Sequence, residues 1–123
     1  MDFFDLVITG TSQSVQAAIS TGADVNARDK YDRTPLMYAA EYNPNPDVIT
    51  TLLKAGADVN PRDKGGWTAL MGSQHPEAIT ALLAGGANAK AKDSEGKTAF
   101  DYAQTRAKLK GTDALKKLEE ASQ

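Results

Sequence analysis

Apolar residues recur at helical spacing in the middle of the chain and predict the first of two short helices. Leu36, Ala39 and Ala40 lie at i, i+3 and i+4, which places them on one face of a helix. Thr34 is a suitable N-cap, and Pro35 suits the first helical position, where its missing N–H needs no partner. The pattern therefore predicts a helix that starts after Thr34 and packs closely through small residues.

The residues that follow predict the second helix of the pair. The Asn-Pro-Asn-Pro run at 43–46 ends the first helix, because proline disfavours the helical conformation in the residue before it. Asn45 is then the N-cap of the second helix, and Pro46 is its first residue. The apolar residues that we expect to be buried on it are Ile49, Leu52 and Leu53.

This helix pair belongs to a repeat. The letters Gly-Ala-Asp-Val-Asn stand at 22–26 and again at 56–60, an offset of 34 residues. A fixed period of this size is typical of stacked repeats, in which each unit buries its apolar face against its neighbours. The predicted units are an N-terminal half-repeat over 1–29, a full repeat over 30–63, a shortened repeat over 64–93 and a C-terminal unit over 94–123. The expected core comprises Leu36, Ile49, Leu52, Leu53, Leu70, Ile79, Leu82, Leu83 and Phe100.

The first and last units are predicted to be caps. Residues 2–9 and a stretch that begins at Thr11 predict two helices separated by Gly10, a helix-ending residue that tolerates a positive φ. In the last unit, a helix carries Leu115 and Leu118 inward and charged residues outward. A polar outer face is what a terminal unit of a stack needs to stay soluble.

The third unit is shorter than the second. Thr34 to Gly56 spans 22 positions, whereas Thr68 to Gly86 spans 18, so four residues are missing. The loss falls in the first helix, because the His-Pro pair at 75–76 aligns with the Asn-Pro pair at 45–46. We expect a helix of about one or two turns there.

The deletion suggests a notch at Gly72 and Ser73, flanked by Met37 and Tyr38 on one side and Asp101 on the other. One hypothesis is that this notch receives a side chain of a partner. The alternative is a tolerated deletion that merely shortens a helix.

Composition excludes several classes of protein. The 123 residues carry a net charge of −2 and no cysteine, which argues against general nucleic-acid binding and excludes disulfides and thiolate metal sites. No apolar run approaches the roughly 18 to 20 residues needed to cross a bilayer. The first residues lack a basic segment, so we expect a cytoplasmic protein. An exported mature form with its signal removed is the alternative.

No group of residues predicts catalysis. His75 is the only histidine, and it occupies a position between two helices, where a structural role is expected. A metal site needs about three or four ligands, and neither a second histidine nor a cysteine can join it. No acidic pair, activated nucleophile or phosphate-binding loop is evident. We therefore expect a protein that is not an enzyme and that binds no cofactor or metal.

The loops between the helix pairs carry a family resemblance. Asp-x-x-(Asp or Gly)-x-Thr occurs at 29–34, 63–68 and 93–98, each in step with the helices. With the Thr-Pro-Leu and Gly-Ala-Asp-Val-Asn segments, this pattern resembles the ankyrin repeat over about residues 3 to 120. The junction at 45–49 and the segment at 109–112 are more similar to bacterial ankyrin proteins. The resemblance implies an all-α solenoid of stacked helix-turn-helix units joined by β-hairpin-like finger loops.

The chain also departs from the family pattern. Met37, Met71 and Asp101 stand where the family commonly has a histidine that braces neighbouring loops, so looser loops are expected. Asp32 replaces a loop glycine and must adopt the left-handed conformation, which aspartate tolerates better than most residues.

The finger loops, residues 26–34, 60–68 and 90–98, are biased towards basic residues. They hold eight bases and five acids, a balance of +3 on a chain of net −2. Stacking would place the loops in one row, which could attract an acidic surface of a partner. The alternative is that they are ordinary solvated loops.

The resemblance implies binding of a protein partner through the concave face, made of the finger loops and first helices. Aromatic residues and arginine dominate binding hot spots, and Tyr31, Tyr42 and Trp67 fall at variable positions of the family. Trp67 has a second interpretation, in which it lies against the neighbouring loop and stabilises the stack. The candidate contact residues are Tyr31, Arg33, Glu41, Tyr42, Lys64, Trp67, Lys97 and Thr105. We expect a monomer; the alternative function is a self-assembling subunit or scaffold of a larger complex.

Overall fold

The helices begin at the caps that the sequence places there. In the computed structural model, which describes residues 2–123, the hydroxyls of Thr11, Thr34, Thr98 and Thr112 each accept a hydrogen bond from an amide of the first turn. The side chain of Asn45 does the same for the amide of Asp47. The side-chain cap satisfies one of the amide groups that a helix start leaves without a partner, so these residues fix where each helix begins.

All regular structure in the described residues is helical, as predicted, and no β-strand occurs among them. The α-helices are α1 Phe3–Thr9, α2 Ser12–Ser20, α3 Pro35–Tyr42, α4 Pro46–Lys54, α5 Pro76–Ala84, α6 Ala99–Ala103 and α7 Asp113–Ala121; a 3₁₀ helix spans Ala107–Leu109. None of these helices is long and apolar enough to cross a lipid bilayer.

The helices pack in pairs and in a row. α1 packs against α2, α3 against α4 and α6 against α7, which gives the predicted pairs. Between pairs, α1 contacts α3. The other helices form a second row, in which α2 contacts α4, α4 contacts α5, and α5 contacts α7. One core runs through these contacts, and its members that the sequence predicted are Leu36, Ile49, Leu52, Leu70, Ile79 and Leu82, all buried.

Three residues predicted for the core are only half-buried. Leu53, Leu83 and Phe100 pack against the buried cluster but keep part of their surface exposed. Leu53 lies beside Gly85, where an added Cβ would come within 3.2 Å of its Cδ1. The three residues therefore pack at the edge of the predicted core rather than in its fully buried centre.

The shortened unit contains no first helix. Residues 69–72 form a turn, in which the Gly72 amide donates to Ala69 O at 3.2 Å and the Ser73 amide donates to Leu70 O at 3.3 Å. The prediction of one or two α-helical turns is therefore wrong, because residues 69–73 close only i to i+3 backbone bonds. The predicted alignment is confirmed, since α5 begins at Pro76 as α4 begins at Pro46.

Asp32 and Gly10 both lie in turns, but backbone conformation explains the first residue and lack of space explains the second. Asp32 has a φ of 66°, so it adopts the left-handed conformation that the sequence predicts for it. Gly10 ends α1 as predicted, but its φ of −81° does not use the positive φ that glycine tolerates. An added Cβ at Gly10 would lie 2.5 Å from Leu6 O and 2.7 Å from Ser14 Oγ. Glycine is required there because the space is occupied.

The loops are braced by asparagines rather than by histidine. Asn26 Nδ2 donates to Gly56 O at 3.2 Å, and its Oδ1 accepts from the Asp58 amide at 2.8 Å. Asn60 makes the same pair of bonds with Gly86 O and the amide of Asn88. Both asparagines end a Gly-Ala-Asp-Val-Asn segment. The expectation of loosely held loops is therefore wrong.

Candidate functional site

Each finger loop is built around an aspartate that caps its own turn. Asp29 Oδ1 accepts from the amides of Tyr31 and Arg33 at 2.9 and 3.0 Å. Asp63 and Asp93 accept two amides at the same positions of their loops, all within 2.9–3.0 Å. These bonds fix the backbone at the loop tip, so the side chains that follow each aspartate have defined directions.

Two of these aspartates each accept a hydrogen bond from a tyrosine on the helix that follows the loop, α3 for the first loop and α6 for the third. The hydroxyls of Tyr38 and Tyr102 donate to the second carboxylate oxygens of Asp29 and Asp93. Burial and then the Asp29 contact raise the pKa of Tyr38 to about 12, and the bond to Asp93 raises the pKa of Tyr102. The hydrogen bond from Tyr102 lowers the pKa of Asp93. Each tyrosine is therefore a neutral donor, and each aspartate a charged acceptor, at physiological pH.

The pKa of Asp29 shows which effect prevails at the first loop. Burial by itself would raise that pKa, but the hydrogen bonds from Tyr38 and from the backbone amides of Arg33 and Tyr31 outweigh it. The pKa of Asp29 therefore lies below its usual value, and the carboxylate stays charged.

The middle loop lacks this tyrosine, and Arg33 takes its place. Gly72 follows Thr68 by four positions, as Tyr38 follows Thr34, so Asp63 has no tyrosine beneath it. Arg33 Nη1 lies 3.3 Å from Asp63 Oδ2 instead, and Arg33 Nη2 lies 2.7 Å from Glu41 Oε1. The guanidinium also stacks 4.7 Å above the centre of the Tyr38 ring. Arg33 thus links two adjacent finger loops.

The expected notch is filled by the chain itself. Arg106 Nη1 donates to Met71 O at 2.9 Å and to Ser73 O at 2.8 Å, while Gly72 and Ser73 are buried. Glu41 and Trp67 approach from the sides: an added Cβ at Gly72 would lie 3.5 and 3.6 Å from their side chains. The burial of Arg106 lowers its pKa, and the charge of Glu41 opposes that shift. The hypothesis of an open notch for a partner's side chain is wrong.

Trp67 packs within the stack. Its ring lies 4.9 Å from that of Tyr102 at an interplanar angle of 56°, and it is half-buried. Lys97 Nζ lies 5.5 Å from the same tyrosine ring, and Thr105 Oγ1 donates to Tyr102 O at 2.8 Å. Three of the candidate residues are therefore gathered around Tyr102.

The most exposed aromatic side chains are Tyr31 and Tyr42, each with 54% of its surface accessible. Tyr42 stacks on Tyr38 with ring centres 6.4 Å apart, and Lys30 Nζ lies 5.1 Å from the Tyr31 ring. Lys64 is exposed, and its amide donates to Tyr31 O at 3.1 Å, which joins the first two loops.

We call the eight candidate residues, together with Tyr38, Gly72 and Tyr102, the strip. Arg33 and Tyr42 contact the ring of Tyr38, and Glu41 is paired with Arg33. Trp67, Lys97 and Thr105 contact Tyr102. Gly72 lies between these two groups, near Glu41 and Trp67. Tyr38, Tyr102 and Arg106 were not among the candidate contact residues, although Tyr38 was expected to flank the notch. The recurrence of tyrosine four residues after the capping threonine would have identified the first two, whereas no pattern identifies Arg106.

The described residues offer no metal-binding group. No cluster of three or more histidine, cysteine, aspartate or glutamate side chains that could hold an ion occurs within 2–123. His75 is the N-cap residue of α5, and its side chain makes no capping hydrogen bond.

Two comparisons with known proteins bear on this arrangement. Residues 19–70 match the family model described as "Ankyrin repeats (many copies)". Over 40 residues the chain is 52% identical to a putative ankyrin repeat protein of fowlpox virus (strain NVSL), a stretch that covers 32% of this chain and 8% of the viral protein. The chain thus spans a small part of that relative. The family model confirms the ankyrin resemblance over the residues it matches, and the bacterial resemblance stays a prediction.

Proposed function

We propose that the chain is a non-catalytic interaction module that binds a protein partner through a concave face made of the finger loops and the first helices. Ankyrin repeats are in general protein–protein interaction modules, and residues 19–70 match that family. The observation that carries the proposal is the strip centred on Tyr38, Gly72 and Tyr102, with exposed aromatic side chains held on a braced backbone. Pre-positioned aromatic groups lose little entropy on binding and so favour tight contact.

The members of the strip have different roles in this proposal. Tyr31, Tyr42, Lys64 and Lys97 are exposed and free to meet a partner, as is Thr105. Arg33 and Glu41 keep 16% and 21% of their side-chain surface exposed and are ion-paired to each other, so they shape the strip. Trp67 is half-buried and stabilises the stack through its contact with Tyr102.

The double variant Tyr31→Ala/Tyr42→Ala tests the proposal. We expect at least tenfold less partner to be retained in quantitative affinity purification from the source cells, because truncated aromatic hot spots typically cost about 2 kcal/mol or more. The melting temperature should stay unchanged, since both side chains are exposed.

A matched variant on the second helices, Gln16→Ala/Lys54→Ala, serves as the control and should retain the same proteins as the wild type. Trp67→Ala is expected to weaken binding and also to lower stability, so it does not separate the two roles. Equal retention of all proteins by the tyrosine variant and the wild type would refute binding through this strip.

Self-association is a second candidate function, and one observation favours it. Phe100 occupies the position of the buried Leu36 and Leu70 but is half-buried, and it lines an open groove with Leu115. If this groove joins two copies, light scattering should show a mass that rises with concentration, and Leu115→Gln should abolish that rise. A constant monomer mass for the wild type would exclude it.

A further inference from the structure

The finger loops carry a second regular feature on residues that the proposed strip does not use. Arg28 Nη1 donates to Asp32 O at 2.8 Å and to Arg62 O in the next loop at 3.0 Å. Arg62 Nη1 in turn donates to Lys92 O in the loop after that, at 2.7 Å. The inter-loop bond thus recurs at offsets of 34 and 30 residues, the second shortened by the deletion. We call Arg28, Arg62 and Lys92 the basic ladder.

Both guanidinium groups of the ladder are anchored by one nitrogen only. Within residues 2–123, Nε and Nη2 of Arg28 and Arg62 make no hydrogen bond, and the Arg28–Asp32 ion pair of 3.4 Å also runs through Nη1. Nε and Nη2 form the edge of a guanidinium that binds a carboxylate with two parallel hydrogen bonds. The side chain of Arg28 is 38% exposed, and Arg62 and Lys92 are exposed as well. The arginine side chains that carry this edge are therefore both held in place and exposed.

Among the loop acids, Asp32 pairs with a member of the ladder, through Nη1 of Arg28 at 3.4 Å, and three others are engaged elsewhere. Asp29, Asp63 and Asp93 are turned into their own loops, where backbone amides and Tyr38, Arg33 or Tyr102 engage them. Among the loop residues, the exposed acids are Asp32 and Glu95, against the exposed bases Arg28, Lys30, Arg62, Lys64, Lys90, Lys92 and Lys97. Asp24 and Asp58 lie just before the loops and add the nearest further negative charge. The exposed charge is more basic than the +3 balance of the sequence indicates.

We propose that the basic ladder is a second contact surface, which binds an acidic segment of a protein through its carboxylates. The anchored arginines meet carboxylates without the entropy cost of ordering a free side chain. Stacked units are spaced by about 10 Å, or about three residues of an extended chain, so successive rungs can engage acidic residues about three positions apart. A nucleic acid or an anionic membrane is less suited, because the chain as a whole carries a net charge of −2. The inference extends the proposed function, since both require a protein partner.

Fluorescence anisotropy with a labelled oligoglutamate peptide at low ionic strength tests the ladder. Arg62→Lys keeps the charge but removes the two-bond edge, and we expect binding to weaken by about tenfold. Lys92→Gln removes one exposed charge that makes no side-chain hydrogen bond, and we expect a loss of about threefold. Lys117→Gln on α7 changes the net charge equally and should leave binding unchanged. All variants are compared below their melting temperatures.

Three results would overturn the ladder as a site for acidic protein segments. The first is that Lys117→Gln weakens oligoglutamate binding as much as Lys92→Gln does. The second is that Arg62→Lys binds oligoglutamate as the wild type does. The third is that the wild type binds single-stranded DNA or phosphatidylserine vesicles more tightly than oligoglutamate. Tyr31→Ala/Tyr42→Ala should bind oligoglutamate as the wild type does. If the tyrosine variant retains all proteins as the wild type does, the ladder proposal is therefore unaffected. If the ladder variants bind oligoglutamate as the wild type does, the proposal for the strip is unaffected.

Discussion

Replacing Leu52 with alanine is expected to lower the free energy of unfolding by about 2–5 kcal/mol, as for buried leucines in general. Leu52 is fully buried on α4, and α4 contacts α2, α3 and α5. Truncation leaves a cavity where several elements meet, and stacked repeats depend on contacts between neighbours. Urea unfolding followed by the fluorescence of Trp67, the single tryptophan, measures the loss.

The adjacent leucine is the matched control for this prediction. Leu53→Ala removes the same atoms from the same helix, but Leu53 is half-buried, so we expect roughly half the loss. The comparison separates burial from helix propensity, which is identical for both substitutions. A loss at Leu53 equal to or larger than that at Leu52 would contradict the placement of the core.

Local chemistry is the part of the fold that the sequence predicts well. A threonine or asparagine before a proline or an apolar run specifies a helix start because its side chain bonds to an amide only two or three residues away. Thr34 and Asn45 illustrate this, and α3 and α4 begin where these caps predict. The left-handed Asp32 follows in the same way, since its neighbours determine the turn.

Features that depend on distant residues were not predictable from local patterns. The shortened unit was recognised by counting, but the loss of its helix depends on what fills the space. Arg106 fills this space, although it lies 35 and 33 residues after Met71 and Ser73, whose carbonyls it binds. Its position is not one that the repeat pattern identifies.

The candidate surface shows the same division. Tyr31 and Tyr42 were expected to be exposed and are exposed, because variable positions of a repeat face solvent. Arg33 was expected to contact a partner, yet it pairs with Asp63 of the next finger loop. For Trp67, both partner contact and packing within the stack were open, and its ring packs against Tyr102. A repeat pattern aligns equivalent positions but does not show which long side chains reach across.

The filling of the shortened unit leads to the second large effect. Arg106→Ala is expected to lower the free energy of unfolding by about 2–4 kcal/mol, because hydrogen bonds from a charged donor are worth about 1.5–3 kcal/mol each. Met71 O and Ser73 O would lose their donor, and both residues are almost fully buried, with 1% and 0% of their surface exposed. Arg106→Lys keeps the charge but has a smaller head group, so an intermediate loss is expected.

Lys108→Ala, two residues away in the 3₁₀ helix, removes an exposed charge and should change stability by less than about 0.5 kcal/mol. Hydrogen exchange supplies a local readout: in Arg106→Ala, the amides of Gly72 and Ser73 should exchange faster, since the turn they close loses its support. If Arg106→Ala matches Lys108→Ala in both measurements, the turn at 69–72 is stable by itself. In that case Glu41 and Trp67, which flank Gly72, would be sufficient to close the gap left by the deletion.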